Sequence, residues 1–287
     1  MSVLSSPLAC LDKVASEFAA TLSSATSPAK AVISVPRAGG DRHDFVLELS
    51  VTGSAVSVRE EPPVRLPVFC PDRHINAGGS FCLGWGSTAA PAVVDEDSAR
   101  TWWTRVTRFL QLQLTANELG IWPNRANDWA HGDAAGHQAL AEAAADSMGE
   151  RFRRDLRAGN FSVIREPHVR GARLELRREG RHIARIAIGP PAKLKGSQVS
   201  CPCDQPEGMT VDGCRDHVDQ LIRFVLELWR WRQSEGRFLR ELAKSGAACC
   251  GTLKSCKLRD AITRDKASTT KRNRHARRHK PRRRPRL

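Results

Sequence analysis

Residues 73–85, RHINAGGSFCLGW, gather a histidine, an asparagine and a cysteine around a glycine pair. Gly78 and Gly79 let the backbone turn through conformations closed to other residues. A loop that returns on itself there would bring His74 and Asn76 near the Cys82 thiol. A carboxamide is a neutral donor, suited to stabilise an oxyanion without quenching a nearby nucleophile. A thiolate beside it can attack, or accept, a thioester carbonyl. The residue types alone leave a second reading open: Cys82 as a small buried hydrophobe and His74 as a turn histidine bonded to backbone.

A second constellation lies in the other half of the chain. The pattern C-P-C-x10-C-x2-H supplies Cys201, Cys203, Cys214 and His217, four soft or borderline ligands within seventeen residues. Tetrahedral zinc takes four such ligands at about 2.0–2.3 Å. The spacing is not that of a standard finger, so a structural zinc site stands beside the alternative of reduced loop and core thiols. Cys249, Cys250 and Cys256 follow a long helical stretch and could fold back. Cys10 and Cys70 read as core.

The 287 residues are 40% hydrophobic and 27% charged, enough to bury a real core but with part of the chain outside it. Of the formal net charge of +15, the stretch from Arg264 onward carries +11. The nine cysteines are odd in number, the first residues lack a basic n-region and a long apolar core, and no apolar run approaches the ~18 residues of a membrane span. A cytoplasmic, reducing setting is therefore expected, with no membrane association, where cysteines serve as metal ligands, nucleophiles or core.

The elements that must position these groups follow from periodicity. Leu8, Leu11, Val14, Phe18 and Leu22 predict a helix over 7–23, with Ser6 as N-cap and Pro7 at N1. AVISVP and HDFVLELSVTGSAVSVRE predict an antiparallel meander, and the prolines of EEPPVRLPVFCPD an extended segment leading to the glycine loop. Helices are predicted over 97–115 and from about Asp133, with a two-tryptophan loop between. Trp85, Trp102, Trp103, Trp122 and Trp129 read as core or loop anchors. Short basic strands, the cysteine loop and a long amphipathic helix with Leu221, Phe224, Val225, Leu228 and Trp231 on one side fill the second half. Beyond about Asp265 the chain is basic and almost without apolar residues, so disorder is expected. Lacking interleaved aromatics, the tail suits nonspecific polyanion binding with steep salt dependence.

PPV followed by RHIN, AGG and SFCL resembles the ubiquitin-conjugating enzyme pattern of a proline-rich strand exit, a His-Pro-Asn tripeptide, a glycine-containing turn and a catalytic cysteine followed by Leu. Ile75 stands where the family has proline, and the turn is short. An N-terminal helix, meander, motif and two helices give the family's element order over about residues 5–145. More narrowly, the WW before a helix and the W-x-H-G segment resemble bacterial ubiquitin-conjugating-like proteins, some encoded in anti-phage operons of the CBASS type.

The expected chain is α+β: the resemblance implies a ubiquitin-conjugating-like catalytic domain over 1–147, and pattern and composition give a basic, cysteine-containing α+β domain over 148–262 and a disordered basic tail over 263–287. It implies Cys82 as thioester-forming nucleophile, Asn76 as the amide that stabilises the oxyanion or orders the loop, and His74 as a loop-structuring residue. His131 and Asp133, in WAHGD, are the candidates to deprotonate the attacking amine; the alternative for His131 is a helix-cap histidine packed on Trp129. Implied partners are a ubiquitin-like modifier or the C-terminus of a cGAS-like nucleotidyltransferase, a target amine, and an activating enzyme. No cofactor is expected for catalysis. Two readings compete: a noncatalytic nucleic-acid-binding adaptor using the basic half, and a cysteine hydrolase, for which only His131 and Asp133 could complete the machinery.

Overall fold

The computed structural model describes residues 6–278 except 25, 38, 63–64, 85–90, 124–128, 169–170, 197–199, 204–208 and 215–216. The fold is α+β, with two antiparallel four-stranded sheets. It forms two compact units: Met1–Asn124 together with Leu239–Leu287, and Arg125–Phe238.

The first unit begins with α1 (Pro7–Ala15). Ser6 caps it, its side chain accepting from the Ala9 amide, and Pro7 fills the first turn, where no amide is needed. The predicted helix to residue 23 stops early. Ala19 takes a left-handed conformation, and β1 (Ala20–Leu22) pairs with β2 (Ala29–Pro36). Leu22 suits either period; strand pairing overrode the helical spacing. β2, β3 (Arg42–Thr52) and β4 (Ala55–Glu60) form the meander, with strict burial alternation along β2 and β4. The buried face, with Ile33, Val35, Phe45, Leu47 and Leu49, shares one core with α1 and with α2 (Glu96–Leu119). Trp102 and Trp103 are wholly buried, and each indole N–H is satisfied by a carbonyl 3.1 Å away, Val56 for one and Leu11 for the other.

The second unit has its own core. Strands β5 (Phe161–His168), β6 (Gly171–Arg178), β7 (Arg181–Ala187) and β8 (Lys193–Lys195) form a meander. Its apolar residues share a cluster with those of α3 (Asp133–Ser147), α4 (Glu150–Ala158) and α5 (His217–Lys244). Phe152, Phe161 and Phe224 pack with ring centroids 4.5–5.1 Å apart. Glu175 lies buried among Arg177, His182 and Arg185; the Arg177 hydrogen bond, working against burial, holds its carboxyl down to about 2.

These units divide the chain differently from the boundaries at 147 and 262. α3 belongs to the second unit, because Ala141, Ala144 and Ala145 share its core. The chain after residue 239 belongs to the first. There the Lys254 amide donates to the Gly120 carbonyl at 2.7 Å, and the Lys257 amide to the Asp72 carboxylate at 2.7 Å. Where composition predicts a disordered tail from 263, helix α6 (Lys257–Arg278) continues. Leu258 and Ala261 bury its first turns, and the Arg, Lys and Ala that follow are good helix formers. Residues 279–287 lie outside the described residues.

Candidate functional site

The glycine loop is a tight hairpin. Asn76–Gly79 form a turn closed by the Gly79 amide on the Asn76 carbonyl at 3.0 Å, with Gly78 at φ 84° and Gly79 at φ 85°. Space does not require glycine at 78, where a Cβ would meet nothing; the positive φ does. Ile75 pairs with Phe81, and both side chains enter the core. The flanking bonds, Cys82 amide to His74 carbonyl and Asn76 amide to Ser80 carbonyl, are both 2.8 Å. Opposite residues of an antiparallel pair share a face, and faces alternate along the strand. Asn76, Ser80 and Cys82 therefore share a face, away from Ile75 and Phe81, and the His74 side chain, from a left-handed residue, meets the Cys82 thiol through a hydrogen bond. Asn76 is exposed, and its amide lies 3.3 Å from the Ser80 hydroxyl.

Buried polar contacts hold the hairpin's base. Glu60 accepts the Arg65 and Leu66 amides at 2.8 Å each, which fixes the proline-rich approach. Arg73 is wholly buried. Its Nε donates to the Gln113 side chain at 2.7 Å, and the Gln113 amide donates back to the Arg73 carbonyl at 2.7 Å. This interlock ties the residue before His74 to the middle of α2. The sequence offered one signal for it: Gln113 sits in an otherwise apolar stripe, and a buried carboxamide needs partners. Arg73 and Glu60 gave none.

His74 ends a single 3₁₀ turn, Pro71–Arg73, in the left-handed conformation at φ 55°. Such a conformation costs about 1–3 kcal/mol outside glycine and persists where surroundings over-determine it. Here the Arg73 interlock, the Cys82 amide and Trp122, whose ring lies 5.6 Å from the imidazole, do so. Cys82 is half-buried. Burial alone would raise its pKa, but a hydrogen bond with the His74 side chain, the charge of that imidazole and a backbone hydrogen bond at Gly84 outweigh it and hold the thiol below its usual value. His74 is thus a hydrogen-bond partner of the thiol.

A lowered pKa means thiolate persists to lower pH, so losing its cause moves the titration upward. His74→Gln should shift the midpoint of the pH–rate profile for Cys82 alkylation by iodoacetamide to higher pH. An unchanged midpoint would show that His74 does not tune the thiol.

His131 and Asp133 lie in the second unit. The His131 ring stacks on Phe238, centroids 4.8 Å apart, and its Nδ1 is 3.8 Å from the Glu235 carboxylate. Asp133 is exposed at the first turn of α3, where a carboxylate complements the helix dipole. Trp85 lies outside the described residues.

The second constellation does assemble. The Cys201 amide bonds the Met209 carbonyl at 2.8 Å, closing a loop that carries Cys201 and Cys203. Cys214 ends a 3₁₀ turn (Asp212–Cys214), and His217 opens α5. The ligand atoms of all four lie within 4.8 Å of one another. The Cys201 sulfur is 3.3 Å from His217 Nδ1 and the Cys203 sulfur 3.9 Å from that of Cys214. Such a cluster could bind a structural metal ion.

Among the described residues no helix is long and apolar enough to cross a membrane. Residues 18–124 match the family model described as "Prokaryotic E2 domain", and residues 130–258 the one described as "Cysteine-rich domain, C-terminal to E2 domain". No curated protein and no solved structure gives a match. The two models, adjacent and in this order, include the hairpin in the first and the four-ligand cluster in the second; the chain belongs to the prokaryotic E2-like family, with an E2 domain followed by a cysteine-rich domain.

Proposed function

We propose that the chain is a ubiquitin-conjugating-like transferase that carries the C-terminus of a protein modifier as a thioester on Cys82 and passes it to a target amine. The observation that carries this reading is the half-buried thiol with a lowered pKa beside His74, on a hairpin within the E2 domain. In the first step the Cys82 thiolate attacks the modifier's activated carbonyl and expels its carrier thiolate. In the second a target amine attacks the thioester, loses its proton and expels the Cys82 thiolate. Asn76, on the same face, donates to the oxyanion of each tetrahedral intermediate. His131 and Asp133 are the candidates for the group that takes the proton of the attacking amine. The modifier is a ubiquitin-like protein or the C-terminus of a cGAS-like nucleotidyltransferase, supplied by an activating enzyme in an anti-phage setting.

The cluster in the second unit takes a structural zinc. Four ligands around one zinc at about 2.0–2.3 Å stand roughly 3.3–3.8 Å apart in a tetrahedron. The two separations given above, 3.3 and 3.9 Å, fit that spacing.

The reading is tested by incubating the full chain with each modifier class and an activating enzyme. The expected product is an adduct that a reductant removes and that peptide mapping locates at Cys82. An adduct that resists reductant, or one that maps to another cysteine, refutes it.

A further inference from the structure

Within the first unit, the segment after α5 brings a thiol to the base of the hairpin. Cys70 is 1% exposed, and its sulfur lies 3.0 Å from that of Cys250, which is half-buried. The two are 180 residues apart in sequence, so their approach is a product of the fold. Neighbouring contacts fix it from both sides. Cys70 exchanges both backbone hydrogen bonds with Ile75, each 3.0 Å, at the base of the hairpin. Thr252 accepts from Arg73 Nη1 at 3.0 Å and lies 3.2 Å from the Cys250 sulfur. Leu253 is buried with Cys70 and Ala116.

We propose that Cys70 and Cys250 form a reversible disulfide, made by a hydroperoxide and broken by a dithiol, that fastens the segment after α5 to the loop carrying His74. The sulfurs need close by about 1 Å to reach the bonded distance of about 2.05 Å. The pair is not part of a group of three or more ligands with metal-binding spacing; among the described residues Cys201, Cys203, Cys214 and His217 form the one such group.

The two thiols divide the chemistry. With both neutral, Cys250 donates to Cys70. Once Cys250 ionises, Cys70 becomes the donor. That bond, helped by Thr252 and the nearby Arg73 charge and opposed by burial, brings Cys250 down to about 5, while the same bond and burial push Cys70 far up. Cys250 is thus the reactive, accessible thiolate and Cys70 the resolving thiol. The Cys250 thiolate attacks a peroxide oxygen and the O–O bond breaks, leaving a sulfenic acid. The Cys70 sulfur attacks the sulfenic sulfur, the S–O bond breaks, and water leaves with the Cys70 proton. Two thiols lose two electrons, and hydrogen peroxide becomes two waters.

The test is independent of the transferase reading. The full chain is treated with stoichiometric hydrogen peroxide, alkylated and digested with trypsin. The expected species links peptide 66–73 to peptide 245–254, is lost on reduction, and is absent from Cys250→Ser. Cys249→Ser, which alters the other thiol of that peptide, should leave it intact. Alkylation of both Cys70 and Cys250 after peroxide, or a link that depends on Cys249, overturns the proposal. So does protection from peroxide and alkylation that a chelator removes, since that would make these thiols metal ligands.

Discussion

Cys82→Ser should stop turnover and leave a trapped product. Serine's hydroxyl is almost wholly protonated near neutral pH, and nothing at this hairpin that favours a thiolate brings an alcohol into range. Attack on the modifier's carbonyl should therefore slow by several orders of magnitude, as removal of a nucleophile commonly does. The little that forms is an oxygen ester. An alkoxide is a poorer leaving group than a thiolate, so the ester resists the target amine and survives reductant. The measurement is a gel-shift transfer assay, with and without reductant, on wild type and variant. A Ser variant that transfers at the wild-type rate, or an adduct unchanged in amount and reductant sensitivity, removes Cys82 as the carrier. The fold should tolerate the change. Cys82 is half-buried, its contact with the Gly84 carbonyl is a long 3.9 Å, and a serine hydroxyl can keep the hydrogen bond with His74, so the stability cost is about 1 kcal/mol or less.

The hairpin that makes this prediction possible was legible because it is local. Two glycines at positive φ and an alternation of Ile75 and Phe81 against His74, Asn76 and Cys82 lie within ten residues, and turn chemistry sets the register. The meander was legible for the same reason: β-branched alternation broken by turn residues such as Gly53, at φ 62°. What the sequence hid depends on contacts far along the chain. Arg73 and Gln113 are 40 residues apart, and only the bent approach to the hairpin brings them together. His74 read as a loop residue because its place beside Cys82 depends on its own left-handed conformation at the end of the 3₁₀ turn, which no residue type announces. Helix α4 went unseen because two apolar residues, Phe152 and Leu156, are too few for a period, although they bury against the second sheet's core. The return of the chain after α5 to the first unit rests on Leu253, Cys256 and Leu258, scattered among charged residues. The cysteines at 249–256 could be suspected of folding back; that Cys250 meets Cys70 could not.

Cys203→Ala should abolish metal binding and with it the order of the segment around residues 200–217. Among the described residues there, Val211 is the one that is buried, and Cys201 and Cys203 pack only partly buried against the second core. In the proposed reading the four convergent ligands supply the rest of the hold. Structural zinc in small peptides contributes an apparent ~10–16 kcal/mol at neutral pH, as much as the whole stability of an ordinary domain. Losing one of four ligands removes most of that. His217 is the first residue of α5, and Leu221, Phe224 and Val225 follow it into the second core. Loosening the cluster therefore frees the N-terminus of the helix on which that core is built, and the thermal transition of the second unit should broaden and fall. Metal content should drop from about one equivalent to near zero by elemental analysis of the purified chain, and a chelator should give wild type the same melting profile as the variant. His217→Cys separates ligation from packing: it keeps a zinc ligand in a smaller side chain and should retain most of the metal. Equal metal in wild type and Cys203→Ala, or a melting profile indifferent to chelator, would leave the four residues as reduced thiols and a capping histidine.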